Sequence, residues 1–186
     1  MKEKILNLTT IVFLGIFGFI IFTTINSANS HNQRPQPQSN LKFDKEFSGK
    51  ISVIDGDSIR VGEKEVRLFG IDAPEYSQTC FNAKKQEYNC GHISREFLFK
   101  LANKKEANCF YAEKDKYDRY LSKCSIDKLS INEEIIKNGM AVIYNFTEAD
   151  EKMKNLEAEA KTKKLGIWQG AFQLPREYRK ENPRKN

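Results

Sequence analysis

Two apolar runs, each ending in a turn loaded with carboxylates, constrain this chain more than any other feature. The first is Val53-Ile54-Asp55-Gly56-Asp57-Ser58-Ile59-Arg60. The second is Val66-Arg67-Leu68-Phe69-Gly70-Ile71-Asp72-Ala73-Pro74-Glu75. Asp-Gly between apolar runs is a strong hairpin signal. The residue before a proline is pushed towards extended backbone, so Ala73-Pro74 reads as a strand exit. Either half alone is explained by a turn. Together they offer Asp55, Asp57, Asp72 and Glu75 alongside Arg60 and Arg67. Carboxylate oxygens suit a hard divalent cation, and a planar guanidinium holds two phosphate oxygens at once.

The periodicity of the flanking segments supplies a scaffold for these turns. Residues 47–54 alternate apolar and polar side chains, the period of a strand. Residues 58–61 and 64–71 are the next strands, joined at Gly62-Glu63, and three short strands with tight turns predict a meander curling into a small barrel. Residues 76–91 read as a polar loop. A helix follows over 92–101, where Ile93, Phe97, Leu98 and Leu101 share a face. His92 at its start reads as a surface or capping residue.

Two further strands are predicted over 108–112 and 120–126, then a helix over 131–138 closed by Gly139 in a left-handed cap. Thr147 and Asp150 approximate a capping box for a last helix running to about Lys164, with Met153, Leu156 and Ala160 as its buried stripe. Trp168 and Phe172 are expected to pack on the barrel. Residues 176–185, with five positive charges, read as a solvated basic tail.

The first 30 residues stand apart from this scaffold. Lys2 and Lys4 precede a stretch without charge that lasts until Arg34. That layout fits a secretory signal ending at small residues, or an uncleaved membrane tether through residues 5–25. Either reading exports the rest of the chain. Residues 31–44 form a disordered linker rich in proline and glutamine, residues 45–180 the folded domain, and residues 181–186 a basic end. The net charge of +6 favours a polyanionic partner.

Four cysteines in an exported chain point to disulfides, and the absence of Cys-x-x-Cys argues against zinc. Three pairings are possible. Cys80–Cys90, closing the loop after the second acidic turn, and Cys109–Cys124, joining neighbouring strands, are preferred.

The two acidic segments resemble the core of the staphylococcal nuclease (thermonuclease) family, and three more blocks follow in that family's order. Asp115-Lys116-Tyr117-Asp118-Arg119 resembles its Asp-x-Tyr-Gly-Arg segment. Residues 131–141 resemble its second helix and turn. Glu157-Ala158-Glu159-Ala160-Lys161 with Leu165-Gly166-Ile167-Trp168 resembles its last helix and exit. The resemblance covers residues 47–179.

It implies a mainly β, α+β fold: a five-stranded OB-fold barrel with three α-helices. It also implies a calcium ion held by Asp57, Asp72 and the carbonyl of Ala73, with Asp55 as an outer residue. Glu75 would be the base or water-positioning group, and Arg67 and Arg119 the phosphate-binding arginines. Tyr117 would lie at the substrate edge, with Tyr144 able to stack on a base. The activity implied is calcium-dependent cleavage of DNA and RNA, leaving 3′-phosphate ends, by a monomer with no obligate protein partner. The chain would be secreted or anchored on the outer face of the cytoplasmic membrane.

Three residues depart from the family pattern. Ser58 and Ala73 replace threonines. Asp118 replaces a glycine; straining the turn or pairing with Arg119 would lower activity at worst, without abolishing it. The rival readings are a non-catalytic nucleic-acid-binding barrel and a tethered structural protein. Neither explains the full set of carboxylates and arginines, because carboxylates repel phosphate unless a cation intervenes.

Overall fold

The computed structural model describes residues 41–145 and 149–183. The readings of the N-terminal signal or anchor, of residues 31–40, of Thr147 as a cap and of residues 184–186 fall outside them. Among the described residues no helix is long and apolar enough to cross a membrane.

The predicted meander forms. Strand β1 (Lys45–Val53) pairs with β2 (Ser58–Val61), and β2 with β3 (Lys64–Leu68), all antiparallel. The chain then leaves the sheet through the short strands β4 (Ile71–Asp72), β5 (Cys80–Phe81) and β6 (Glu87–Tyr88) and the helix α1 (Cys90–Ala102). It returns as β7 (Glu106–Lys114) against β1 and β8 (Tyr120–Ile126) against β7. A parallel pairing of β3 with β8 closes the five strands into a barrel. Its inward side chains, Ile51, Ile59, Val61, Val66, Leu68, Ala107, Cys109 and Cys124, are all at most 2% exposed. Each of the larger ones contributes about 1.5–3 kcal/mol by burial.

Strand β9 (Leu129–Ser130) leads into α2 (Ile131–Lys137), which buries Ile131, Ile135 and Ile136 on the barrel. Strand β10 (Val142–Ile143) then pairs with β4, and α3 (Glu151–Thr162) follows. Gly139 takes the left-handed conformation expected of it, with φ +66°.

Four expectations need correction. The strand predicted over 64–71 breaks at Phe69-Gly70, where Gly70 has φ +81°. Asp72 therefore sits in a separate two-stranded sheet with β10. The last helix is capped by Asp150 itself, whose carboxylate accepts from the Met153 N–H at 2.8 Å. Its stripe also includes the buried Glu157, which accepts from Ile143 N–H and pairs with Lys161.

Trp168 and Phe172 do not join the barrel core. They stack edge to face in a second, small cluster with Cys80, Cys90, Val142 and Ile167. Finally, the stretch read as a basic tail contains a fourth helix, α4 (Pro175–Glu181). Proline at a helix start, acid in the first turn and base in the last favour that helix, a pattern the count of positive charges obscured.

Candidate active site

The register of β2 with β3 sets Ser58 opposite Arg67, which brings the Arg67 side chain to Asp57. Arg67 Nη1 donates to Asp57 Oδ1 at 2.9 Å and Nη2 to Asp72 Oδ1 at 2.8 Å. One guanidinium thus ties the two acidic turns together. Ser58 Oγ donates to Asp57 Oδ1 at 3.0 Å, so the hydroxyl kept at this position has a task. The Ala73 N–H donates to Asp57 Oδ2 at 3.0 Å. Asp57 and Asp72 are almost wholly buried. Burial pushes the Asp57 carboxyl above its ordinary range. Arg67 and the Ala73 N–H oppose that rise, and neighbouring Asp72 adds to it. Arg60 turns away to an exposed cross-strand pair with Glu65 at 2.6 Å.

Arg119 comes from the turn between β7 and β8. Its Nε and Nη2 both donate to Asp115 Oδ2, at 2.8 and 2.7 Å, while Nη1 lies 3.4 Å from Ser58 Oγ. Burial raises the Asp115 carboxyl, but the hydrogen bonds from Arg119 and from the backbone N–H groups of Arg119 and Tyr117 outweigh it and hold the group low. Asp118 does occupy the left-handed region, with φ +66°. Its carboxylate, however, pairs with Lys114 at 2.8 Å and not with Arg119. Asp115 takes the partner role expected of Asp118. Tyr117 is exposed, with the Arg119 guanidinium 5.4 Å from its ring centre.

Glu75 lies outside the barrel ladders, in the turn after β4. Arg179 of α4 meets it there: Nη1 lies 3.0 Å from Glu75 Oε1 and 2.9 Å from Asp72 Oδ1, and Nη2 lies 3.0 Å from Asp72 Oδ2. The fully buried Gln78 fixes the turn. Its Oε1 accepts from the Glu75 N–H, its N–H donates to the Glu75 carbonyl, and its Nε2 donates to the Gln173 carbonyl at 2.7 Å. Gly91, at the start of α1, lies so close that a Cβ there would overlap the Glu75 carbonyl oxygen. Both predicted disulfides form, and Cys80–Cys90 closes this loop. Tyr144 is exposed at the rim of a groove of about 210 Å³ that it shares with Asp72, Lys161, Trp168 and Arg176.

The site thus joins Asp57, Asp72, Ala73, Glu75, Arg67 and Arg119, with Tyr117 and Tyr144 at its margins. Sequence reasoning missed Arg179, Gln78 and Asp115. Of these, only Asp115 carried a signal, since it belongs to a matched block.

Whether the donors suit a hard cation is a question of lone pairs. Among the described residues no group of three or more His, Cys, Asp or Glu side chains is clustered to hold a metal. An ion held here would rest on the Asp57 and Asp72 carboxylates, with the Ala73 carbonyl next in the chain and water completing the set. Asp57 Oδ1 and Asp72 Oδ1 each accept two hydrogen bonds, whereas Asp57 Oδ2 and Asp72 Oδ2 each accept one. One lone pair on each acid is therefore left, and oxygen donors are the type that hard divalent cations take.

Comparison with known proteins shows the family. The sequence model of the family described as staphylococcal nuclease homologue matches residues 65–170. The succinoglycan biosynthesis protein ExoI of Rhizobium meliloti is 34% identical over 126 residues, 64% of this chain and 63% of that protein. The chain thus spans just under two thirds of that relative's length. An uncharacterized protein of Methanocaldococcus jannaschii is 31% identical over 89% of this chain and 94% of its own. An uncharacterized endonuclease of Escherichia coli O157:H7 is 31% identical over 67% of this chain and 78% of its own. The matched span contains Arg67, Asp72, Glu75 and Arg119 on and beside the closed barrel, and the chain belongs to the staphylococcal nuclease family.

Proposed function

We propose that this protein is an exported, calcium-dependent nuclease that hydrolyses phosphodiester bonds of DNA and RNA with little sequence preference, leaving 3′-phosphate ends. The observation that carries the reading is the hydrogen-bonded network that links Asp57, Asp72 and Glu75 through Arg67 and Arg179, with Arg119 reaching Ser58 at its edge. Asp57, Asp72 and the Ala73 carbonyl would hold the calcium ion, which would supply positive charge against the phosphate oxygens. Arg67 and Arg119 hold those oxygens and offset the charge that builds on them. Glu75 accepts the proton of the attacking water or orients it. Tyr117 and Tyr144 offer aromatic faces to the flanking bases.

Export rests on the basic-then-apolar N-terminus and on the two disulfides, which persist in oxidising compartments. Comparing the size of the mature protein with that of the full chain distinguishes a cleaved signal from a retained tether. A non-catalytic nucleic-acid-binding barrel is the competing reading.

The test is digestion of single-stranded DNA by the oxidised protein, with calcium and with a chelator. Cutting should require calcium. Glu75→Ser and Arg119→Ala should each lower kcat by about 10²–10³-fold. Wild-type protein that binds DNA yet leaves it intact would instead support the binding barrel.

A further inference from the structure

Arg179 lies beyond residues 65–170, the span that the family's sequence model matches, and in a stretch whose composition suggests only a tail. Its guanidinium nevertheless makes three hydrogen bonds inside the site. Two run in parallel to the oxygens of Asp72, and one bridges to Glu75. The contact is built into the fold. Gln78 holds the segment before α4 through the Gln173 carbonyl, and Phe81 N–H donates to the Ala171 carbonyl at 2.8 Å. Pro175 is buried at the start of the helix. Tyr178, beside Arg179, lies with its hydroxyl 3.4 Å from both Ser77 Oγ and the Ser77 carbonyl. Gly170 packs so closely on Phe81 and Asn82 that a Cβ would overlap their backbone. The loop that carries Glu75 and the segment that carries Arg179 are one unit.

Physical chemistry says what such a contact does. Asp72 and Glu75 are like charges three residues apart, and Asp72 is buried. Repulsion between them opposes the close approach that a shared guanidinium favours. A bidentate guanidinium sets the plane of one carboxylate and, through its shared nitrogen, the direction of the other.

We infer that Arg179 is a positioning residue of this site: from the C-terminal helix it holds the Glu75 carboxylate towards Asp72, so that the active site is complete only when α4 is docked. The inference rests on the nuclease reading above.

The experiment compares full-chain wild type, Arg179→Ala, Arg179→Gln and Arg179→Lys, with Lys180→Ala on the exposed side of the same helix as control. kcat and KM for single-stranded DNA are measured at saturating calcium, calcium affinity by calorimetry, and folding by thermal denaturation. Arg179→Ala should lose about 10–100-fold in kcat, with KM for DNA changed by less than about threefold. Its calcium affinity should be equal or tighter, since a positive charge near the ligands has gone. Arg179→Lys should recover part of the loss, because it keeps the charge but not the fork. Lys180→Ala should match wild type. If Arg179→Ala does not fold, Arg179→Gln carries the same comparison.

Unchanged kcat in a folded Arg179 variant would overturn the inference and make Arg179 a counter-ion only. A rise in KM alone would make it a phosphate contact. Weaker calcium binding that accounts for the lost activity would make it a support of the cation site. If wild type cuts no nucleic acid, the nuclease reading itself fails and this inference falls with it.

Discussion

The two walls of the site are built differently. Arg67 lies on barrel strand β3, and Asp57 and Arg119 sit in turns one residue before β2 and β8, so ladder registers place all three: Ser58 opposite Arg67, and Arg67 beside Leu121, two residues beyond Arg119. Glu75 and Arg179 belong to a wall with almost no ladder. One buried glutamine, a glycine contact, a disulfide and a seven-residue helix hold it. Barrel positions give way only when the whole sheet opens, whereas segments with few buried apolar contacts open at lower free energy. The Glu75–Arg179 wall, packed on the small Cys80–Cys90 cluster outside the barrel core, is therefore expected to open before the barrel does.

The largest effect should come from the barrel wall. Arg67→Ala removes the guanidinium joining Asp57 to Asp72, leaving Asp57 buried without a charged partner. Activity should fall by at least about 10³-fold, and stability at neutral pH by about 3 kcal/mol. The stability loss is moderated because Asp72 keeps Arg179. It should also depend on pH in a definite direction. The Asp57 carboxyl is already raised above 3.8 in the folded protein, and losing Arg67 raises it further. In the window above 3.8 the folded state then binds more protons than the unfolded one. Stability falls as pH rises through that window, and the deficit shrinks again as pH drops towards 3.8. Thermal denaturation of the variant from acid to neutral pH checks this; a deficit that deepens towards acid would refute the assigned role of Arg67.

The disulfides sharpen the comparison, since there is one on each side of it. Cys80–Cys90 spans 10 residues in the loop wall and Cys109–Cys124 spans 15 across β7 and β8. Similar spans should give similar stability losses, about 2–3 kcal/mol each, on replacing either pair by serine. Activity should separate them. Serines at 80 and 90 loosen the frame of Glu75 and should lower kcat by about tenfold or more, while serines at 109 and 124 should leave it nearly unchanged where both proteins are folded. Equal losses of kcat would erase the distinction between the walls.

The same contrast explains what could be read from the sequence. The barrel wall was legible because its signals are short-range: alternation in residues 47–54, the Asp55-Gly56 turn, and arginines one strand away from acids. Register then carries side chains to predictable partners. The loop wall was half legible. Glu75 follows a recognisable turn, but its partner lies 104 residues further on, and nothing near Arg179 announces the meeting. The break at Phe69-Gly70 was missed because the apolar run continues through it. Phe69 N–H instead finds the Ser122 carbonyl, a partner supplied by tertiary structure. Trp168 went to the disulfide cluster for a related reason: an aromatic ring says that it will be buried, not where.

The smallest effect should be that of Asp118→Gly, in the turn that delivers Arg119 to the barrel wall. Asp118 adopts φ +66°, which glycine takes freely and aspartate at modest cost. The glycine variant should therefore gain at most about 1 kcal/mol from the backbone. It also gives up the pair with Lys114, which water screens because the Asp118 side chain is 82% exposed. Activity should change by less than about threefold, well under 1.4 kcal/mol in the barrier. The reason is geometric: Arg119 is held by Asp115 through both Nε and Nη2, and Asp118 does not touch it. A rise of about tenfold or more in kcat would show that the Asp118 carboxylate competes with phosphate for Arg119 in solution, and that the barrel wall is less rigid than its ladders imply.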